Sequence, residues 1–305
     1  MTIYKAEFDE IRYNTSSGLL TSMQISGAIL KTAIDFFGED GKKLLEDKEF
    51  AVSRIMKNVE FGFCVRLQNA VGFIQNKEIR KKLRKELKET EVLIKDTDKE
   101  VTDDLIKERI MNSLTERTNK KKEEQKKIRR IGNYIRERNM FYYDITIVKN
   151  AFLLISVEEK NKEIIENALL KMSSYGMGAD KSVGASRLVF KDPSNILSEF
   201  NKEYLTKKEK FFINLSDYIP EENSEFIFSR IEKYNSFLSE KGDQKIRSGI
   251  SFLYYPSGGI FSDIPSNGKI IKLDSEEKIF NGRTIKLYLK ADLDSLFKID
   301  PEVRS

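Results

Sequence analysis

Ser173-Ser-Tyr-Gly-Met-Gly-Ala-Asp-Lys-Ser-Val-Gly-Ala-Ser-Arg-Leu-Val-Phe190 is the stretch on which the fold of this chain turns. Gly176, Gly178 and Gly184 stand among small residues, with Lys181 between them and Arg187 after them. Upstream, Ile164, Ile165, Ala168, Leu169 and Met172 share one helical face, which predicts a helix over 162–172. Downstream, Leu188-Val189-Phe190 predicts a strand. Gly-x-Gly beside a helix invites a dinucleotide or P-loop assignment. Those motifs run strand, glycine turn, helix, so that the helix N-terminus meets the phosphate. Here the order is helix, turn, strand, and no Gly-Lys-Ser/Thr occurs. A helix C-cap at Gly176 explains part of the run. It does not explain why Gly178, Ala179, Ser182, Gly184, Ala185 and Ser186 are all small. Such a run lets another backbone come close, and successive amides in glycine-permitted conformations form an anion-binding concavity.

The composition excludes several function classes. The 305 residues are 39% hydrophobic and 34% charged. Ile, Leu, Val and Phe recur throughout, as in a folded rather than a disordered chain. Nothing approaches the roughly 20 apolar residues of a membrane span, and Met1-Thr-Ile-Tyr-Lys-Ala6 reads as a strand rather than a signal peptide. The single cysteine, Cys64, leaves no internal disulfide and no metal cluster. A cytoplasmic protein with no membrane contact, no metal and no cofactor is expected. There is no histidine, which removes Ser-His-Asp and Cys-His nucleophiles and histidine acid–base chemistry. Net charge is +5, unevenly spread: residues 77–138 hold 21 basic and 14 acidic residues, an excess of 7. That excess is the footprint of a polyanion-binding element.

In chain order, 2–9 alternate as a first strand. Thr21 or Ser22 then caps a helix through Phe37 that Gly38 stops. That helix packs into a core, with a second option that Ser16, Ser17, Ser22 and Ser26 present its N-terminus to a phosphate. Residues 51–75 read as strand, and 77–127 as a charged helical insertion. Residues 128–157 return to strand, with Lys149-Asn150 as a hairpin turn and Arg129, Arg130, Arg136 and Arg138 interleaved with Tyr134. Arginine and aromatics so interleaved suit RNA phosphates and unstacked bases. A polar linker over 193–208 separates domains at 1–192 and 209–305. The second half reads strand (210–219), helix (225–238), strand (250–255), a Pro256-Ser-Gly-Gly259 turn and further strands. The expected class is α+β: two ferredoxin-like (RRM-like) β-α-β-β units, with the insertion in the first.

A helix followed by Gly-x-Gly-Gly-x-x-Ser-x-Gly-x-Gly-x-Phe before a strand is a signature of the RAMP superfamily of CRISPR proteins, and this chain resembles it. The matching residues are Gly176, Gly178, Ser182 and Gly184; Ala179, Ser186 and Leu188 stand where the family often has Gly, Gly and Phe. The first strand with the helix at 16–34, and Tyr254-Tyr-Pro-Ser-Gly-Gly-Ile-Phe261, are similar to parts of the subunit that caps Csm-type (type III-A) effector complexes. The resemblance implies a non-catalytic RNA-binding subunit in antiviral defence. Such a subunit holds the 5′ handle of the CRISPR RNA and contacts the large polymerase-like subunit on one side and backbone RAMP subunits on the other. Carried over, the handle lies on Gly176, Gly178, Lys181, Ser182, Gly184 and Arg187, with Arg129 and Arg130 as further candidates. The alternatives are a RAMP endoribonuclease that processes CRISPR transcripts, for which the usual histidine is lacking, and a protein scaffold unrelated to RNA.

Overall fold

Strand β1 (Thr2–Asn14) runs five residues beyond the expected Asp9, because Ile11 and Tyr13 continue to supply buried side chains. The computed structural model describes residues 2–14, 20–68, 81, 89–117, 128–132, 141–176, 187–221, 226–237, 249–262, 266–272 and 279–292. After β1 comes α1 (Ser22–Phe37). The Thr21 hydroxyl accepts from the Gln24 amide at 3.2 Å, and the Gln24 side chain accepts from the Thr21 amide at 2.9 Å. This reciprocal cap starts the helix where the sequence predicts. Gly38, at φ 55°, stops it. A short α2 (Glu39–Glu46) leads to β2 (Ala51–Val52), β3 (Met56–Val59) and β4 (Gly62–Gln68).

The charged insertion is not only helical. It holds strand β5 (Glu89–Lys95), which pairs with β4 along its length, and α3 (Asp103–Arg117). Arg109 ties α3 to the preceding turn through Asp98, at 2.7 and 3.0 Å. Val92, Ile94, Val101, Ile106 and Ile110 are buried in one core with Phe211, Leu287 and Leu289 of the second half. The thin apolar stripe is therefore a docking face. Residues 118–127 lie outside the described residues. Ile106→Ala should cost about 2–4 kcal/mol, as for other buried isoleucines. Urea unfolding checks this; a loss under about 0.5 kcal/mol would mean that α3 does not help hold the fold.

The chain then forms β6 (Ile128–Gly132), β7 (Phe141–Val157), α4 (Lys162–Tyr175) and β8 (Arg187–Phe190). The hairpin expected at Lys149-Asn150 is absent. β7 is one strand, and both of its halves pair antiparallel with β1, from Thr2↔Val157 to Asn14↔Ile145. Asn150 does take a left-handed backbone, φ 49°, as a turn asparagine would. Here it accompanies a change of side-chain phase without reversing the chain. On its C-terminal side Ala151 and Leu153 face the helices together with Phe8 and Ala6 opposite them; on its N-terminal side Val148 does, with Ile11 and Tyr13 of β1. β1 carries a matching bulge between Phe8 and Glu10 against β8.

The main sheet runs β5-β4-β3-β7-β1-β8, with β2 and β6 also on β7. The short β9 (Ser198–Glu199) adds to β1. α1 and α4 cover one face, packing Ile25, Ile29, Ile165 and Leu169 on the sheet. The stretch 193–208, expected to be a polar linker, buries Ile196 and Leu197, and also Tyr204 and Leu205 from the short α5 (Glu203–Thr206).

In the second half β10 (Phe211–Asn214), β11 (Phe226–Phe228), β12 (Glu232–Phe237), β13 (Gly249–Tyr254) and β14 (Ile260–Ser262) follow. β15 (Ile270–Lys272), β16 (Ile279–Asn281) and β17 (Lys286–Leu289) complete it. The antiparallel order is β11-β14-β10-β17, with β12-β13 and β15-β16 as separate pairs. The helix expected over 225–238 is two strands. Apolar residues at 226, 227, 231 and 234 fit a helical face, but they fit two short strands equally well. Pairing partners decide: β12 finds β13 over six residues, and Tyr234 stacks on Phe252 (ring centroids 5.0 Å) beside Phe280 (4.8 Å). The architecture is α+β with antiparallel sheets.

Candidate nucleic-acid interface

The glycine stretch is held at both ends. On the helix side, Ile165, Ala168, Leu169 and Met172 bury the inner face of α4. Gly176 ends that helix at φ 79°, ψ 172°, and its amide donates to the Met172 carbonyl at 2.8 Å. Only glycine takes this conformation without strain, so the small residue at 176 is a backbone requirement. On the strand side, Leu188 and Phe190 are buried and Arg187 is exposed. Gly178, Lys181, Ser182 and Gly184 lie outside the described residues. Beside Gly176, Tyr175 is 59% exposed and Phe36 45% exposed, with ring centroids 5.4 Å apart. The Lys171 ammonium sits 5.3 Å from the Phe36 ring centre, within cation–π range.

Arg129 and Arg130 lie on β6, opposite Asp144 and Tyr143 of β7. β6 and β1 occupy opposite edges of β7, since Ile145 pairs with Ile128 on one side and Asn14 on the other. Arg187 pairs with Arg12 of β1. Three strand steps therefore separate β6 from β8, about 15 Å across the sheet. The two arginine groups flank the β7–β1 pair and do not form one cluster.

Two residues near Arg187 were not singled out in the sequence: Arg12 and Lys149. Arg12 lay beyond the expected end of the first strand, and Lys149 within the supposed turn. The ladder puts both beside Glu10. Glu10 pairs with Lys149 in register and forms an ion pair with Arg12. Lower on the same face Glu7 is held by Lys5 (3.0 Å), Lys191 (3.9 Å) and the Asn58 amide (2.8 Å). Burial alone would raise the Glu7 pKa, but these partners outweigh it and hold the carboxyl below its ordinary value.

The N-terminus of α1 is not open to a ligand phosphate. The Asp217 carboxylate occupies it, accepting from the Ser22 hydroxyl (2.9 Å) and the Met23 amide (3.4 Å). Ser26 turns inward to the Met23 carbonyl; Ser16 and Ser17 lie outside the described residues. Among the described residues no group of three potential metal ligands occurs, and no helix is long and apolar enough to cross a membrane. The Cys64 thiol is pushed up to about 11, by burial first and Glu91 second, so it is a poor nucleophile near neutral pH.

No protein-family model matches this sequence, and no curated protein does. Solved structures do. A chain of a Csm1–Csm4 cassette in complex with one ATP is 12% identical, covering 95% of this chain and 99% of that one, with a TM-score of 0.54. A chain of the Csm3–Csm4 subcomplex in the type III-A CRISPR-Cas interference complex is 10% identical, covering 95% and 100%, also at 0.54. The fold is therefore shared with chains of these two type III-A assemblies. Near-complete coverage in both directions carries the likeness through the insertion and the second half as well as the first sheet. The α+β assignment and the expected resemblance agree with it.

Proposed function

We propose that this chain is a non-catalytic, RNA-binding subunit of a type III-A CRISPR interference complex, working in the cytoplasm. It holds the 5′ handle of the CRISPR RNA and bridges the large subunit to the backbone subunits. One observation carries this: its fold recurs nearly end to end in assemblies named for two different pairings, Csm1–Csm4 and Csm3–Csm4. A single fold shared by both is the expected shape of a bridge. Gly176, Gly178, Lys181, Ser182, Gly184 and Arg187 form the proposed handle contact, with Arg129 and Arg130 across the sheet as a second contact. Tyr175, exposed at the entrance to the loop, offers a face for an unpaired base.

The strand order β3-β7-β1-β8, with α1 after the first strand and α4 before the last, supports a ferredoxin-like first unit within 1–192. The strands from Phe211 to Leu289, which share a buried core with the first sheet, support a second unit within 209–305.

The test is purification of the chain with its genomic neighbours. A bound small RNA with a constant 5′ end is expected, together with a large subunit and backbone subunits. Lys181→Glu with Arg187→Glu should reduce retained RNA at least tenfold. Unchanged retention would remove the site assignment. RNA cleavage by the isolated chain would overturn the non-catalytic reading, and absence of RNA from the complex would overturn RNA binding.

A further inference from the structure

On the face of the main sheet away from α1 and α4, β8, β1 and β7 present two rows of three side chains. One row is Arg187, Arg12 and Ile147; the next is Val189, Glu10 and Lys149. Residues directly opposite in an antiparallel ladder share a face and stand about 5 Å apart. Two guanidinium groups therefore face each other across β1 and β8, an arrangement that destabilises a strand pair. Glu10 is the carboxylate within these rows; it is ion-paired with Arg12 and stands opposite Lys149 in the ladder. Three cations against one anion leave the rows at +2. Arg187 and Lys149 are exposed, and among the described residues no ion pair holds either. The neighbouring Glu7 is already taken by Lys5 and Lys191.

The backbone is bent to make this arrangement. Alternation continued from Phe8 and Ala151 would turn Arg12 toward the helices. The irregularity at Asn150 (φ 49°) and the bulge between Phe8 and Glu10 shift the phase of both strands together. Ile11 and Val148 then go into the core, and Arg12 and Lys149 to the opposite face, where Lys149 is exposed and Arg12 half-buried. Bulges that re-aim side chains are features kept for use, and a non-glycine residue at positive φ carries strain.

We infer that Arg12, Lys149 and Arg187 form a phosphodiester-binding site on the sheet face away from α1 and α4, gripping the backbone of the same RNA that the glycine stretch holds. This rests on the RNA-binding reading above and extends it to residues outside the loop. A single-stranded RNA phosphate between Arg12 and Arg187 turns their repulsion into a shared charge-assisted contact. The apolar Ile147 and Val189 leave room for ribose. The site reads charge and not sequence.

The test uses the full chain and a fluorescently labelled oligouridylate, titrated over a range of salt. Each lost phosphate contact should flatten the log–log salt dependence by about 0.7 for a single strand. Arg12→Gln with Lys149→Gln should flatten it by about 1.4 and weaken binding at least tenfold at low salt. Arg187→Gln should raise the melting temperature of the RNA-free protein while weakening RNA binding. If the double variant melts like the parent and keeps its slope and affinity, the inference is overturned and the loop reading stands. If the parent itself binds no RNA, the RNA reading falls, and inorganic phosphate decides the site. A melting shift with phosphate that is lost in the double variant supports it; an equal shift overturns it.

Discussion

Gly258→Ala is expected to destabilise the protein by about 3–5 kcal/mol, a large share of the stability of an ordinary domain. Gly258 sits at φ 95° in the buried turn Pro256–Gly259. A Cβ there would land on the Arg66 carbonyl oxygen and within 3.3 Å of the Gln68 nitrogen, both backbone atoms of β4. The turn cannot back away. The Asn214 side chain donates to the Ser216 and Pro256 carbonyls at 2.8 and 3.1 Å and accepts from the Gly259 amide at 2.6 Å. The Gln68 amide donates to the Gly258 carbonyl at 2.9 Å, and the Gln68 side chain to the Ser257 carbonyl at 2.8 Å. A new methyl group thus combines backbone strain of about 1–3 kcal/mol with loss of buried hydrogen bonds at about 1–3 kcal/mol each. Gly38→Ala is the matched control. Its φ is 55°, but nothing lies within 4 Å of the added Cβ, so only the backbone strain of about 1–3 kcal/mol applies, without the clash or the lost hydrogen bonds. Urea unfolding of both variants measures the difference; equal losses would show that close approach to β4 does not matter.

Asp217→Ala should cost about 2–5 kcal/mol. Asp217 is 5% exposed and joins the two halves of the chain. One oxygen accepts from Ser22 and Met23 at the start of α1, and the other from the Ser257 amide at 3.3 Å. The Asp217 amide donates in turn to the Ser22 hydroxyl at 2.6 Å. Truncation leaves these donors buried without an acceptor and removes the anion from a helix N-terminus. Burial raises the Asp217 pKa above its ordinary 3.8, partly offset by the hydrogen bonds from Ser22, Met23 and Ser257. A carboxyl whose folded pKa is raised binds its proton more tightly in the folded state. Its contribution to stability is complete below the unfolded pKa and is lost as pH rises through the folded one. Between the folded pKa and about 4, the parent should therefore gain stability, relative to Asp217→Asn, as pH falls. Parallel pH–stability curves for the two proteins would contradict that sign.

Where local pattern carried the information, residues and structure agree. The Thr21–Gln24 cap, the stop at Gly38, the face of α4 and the C-cap at Gly176 each depend on neighbours within about one helical turn. Periodicity and backbone permission are written into adjacent residues. The disagreements depend on distant partners. Asn150 shows the same left-handed preference in a hairpin turn and in a strand that continues; only pairing of β1 with both halves of β7 separates them. Residues 226–237 fit a helical face until β13 and Phe280 supply partners. The serines of α1 suit an anion from solution or one from the chain, and Asp217, 195 residues away, takes the place.

The same division runs through the candidate interface. The small-residue glycine stretch, its order after a helix and before a strand, and the lack of histidine are properties of the amino-acid order alone. They are enough to set aside P-loop and histidine chemistry and to point at close backbone contact. That Arg12 stands opposite Arg187, and that Lys149 shares their face, follows from strand register and from paired irregularities in two strands far apart in sequence. Register is a collective outcome of burying one face of a sheet, and no single segment encodes it.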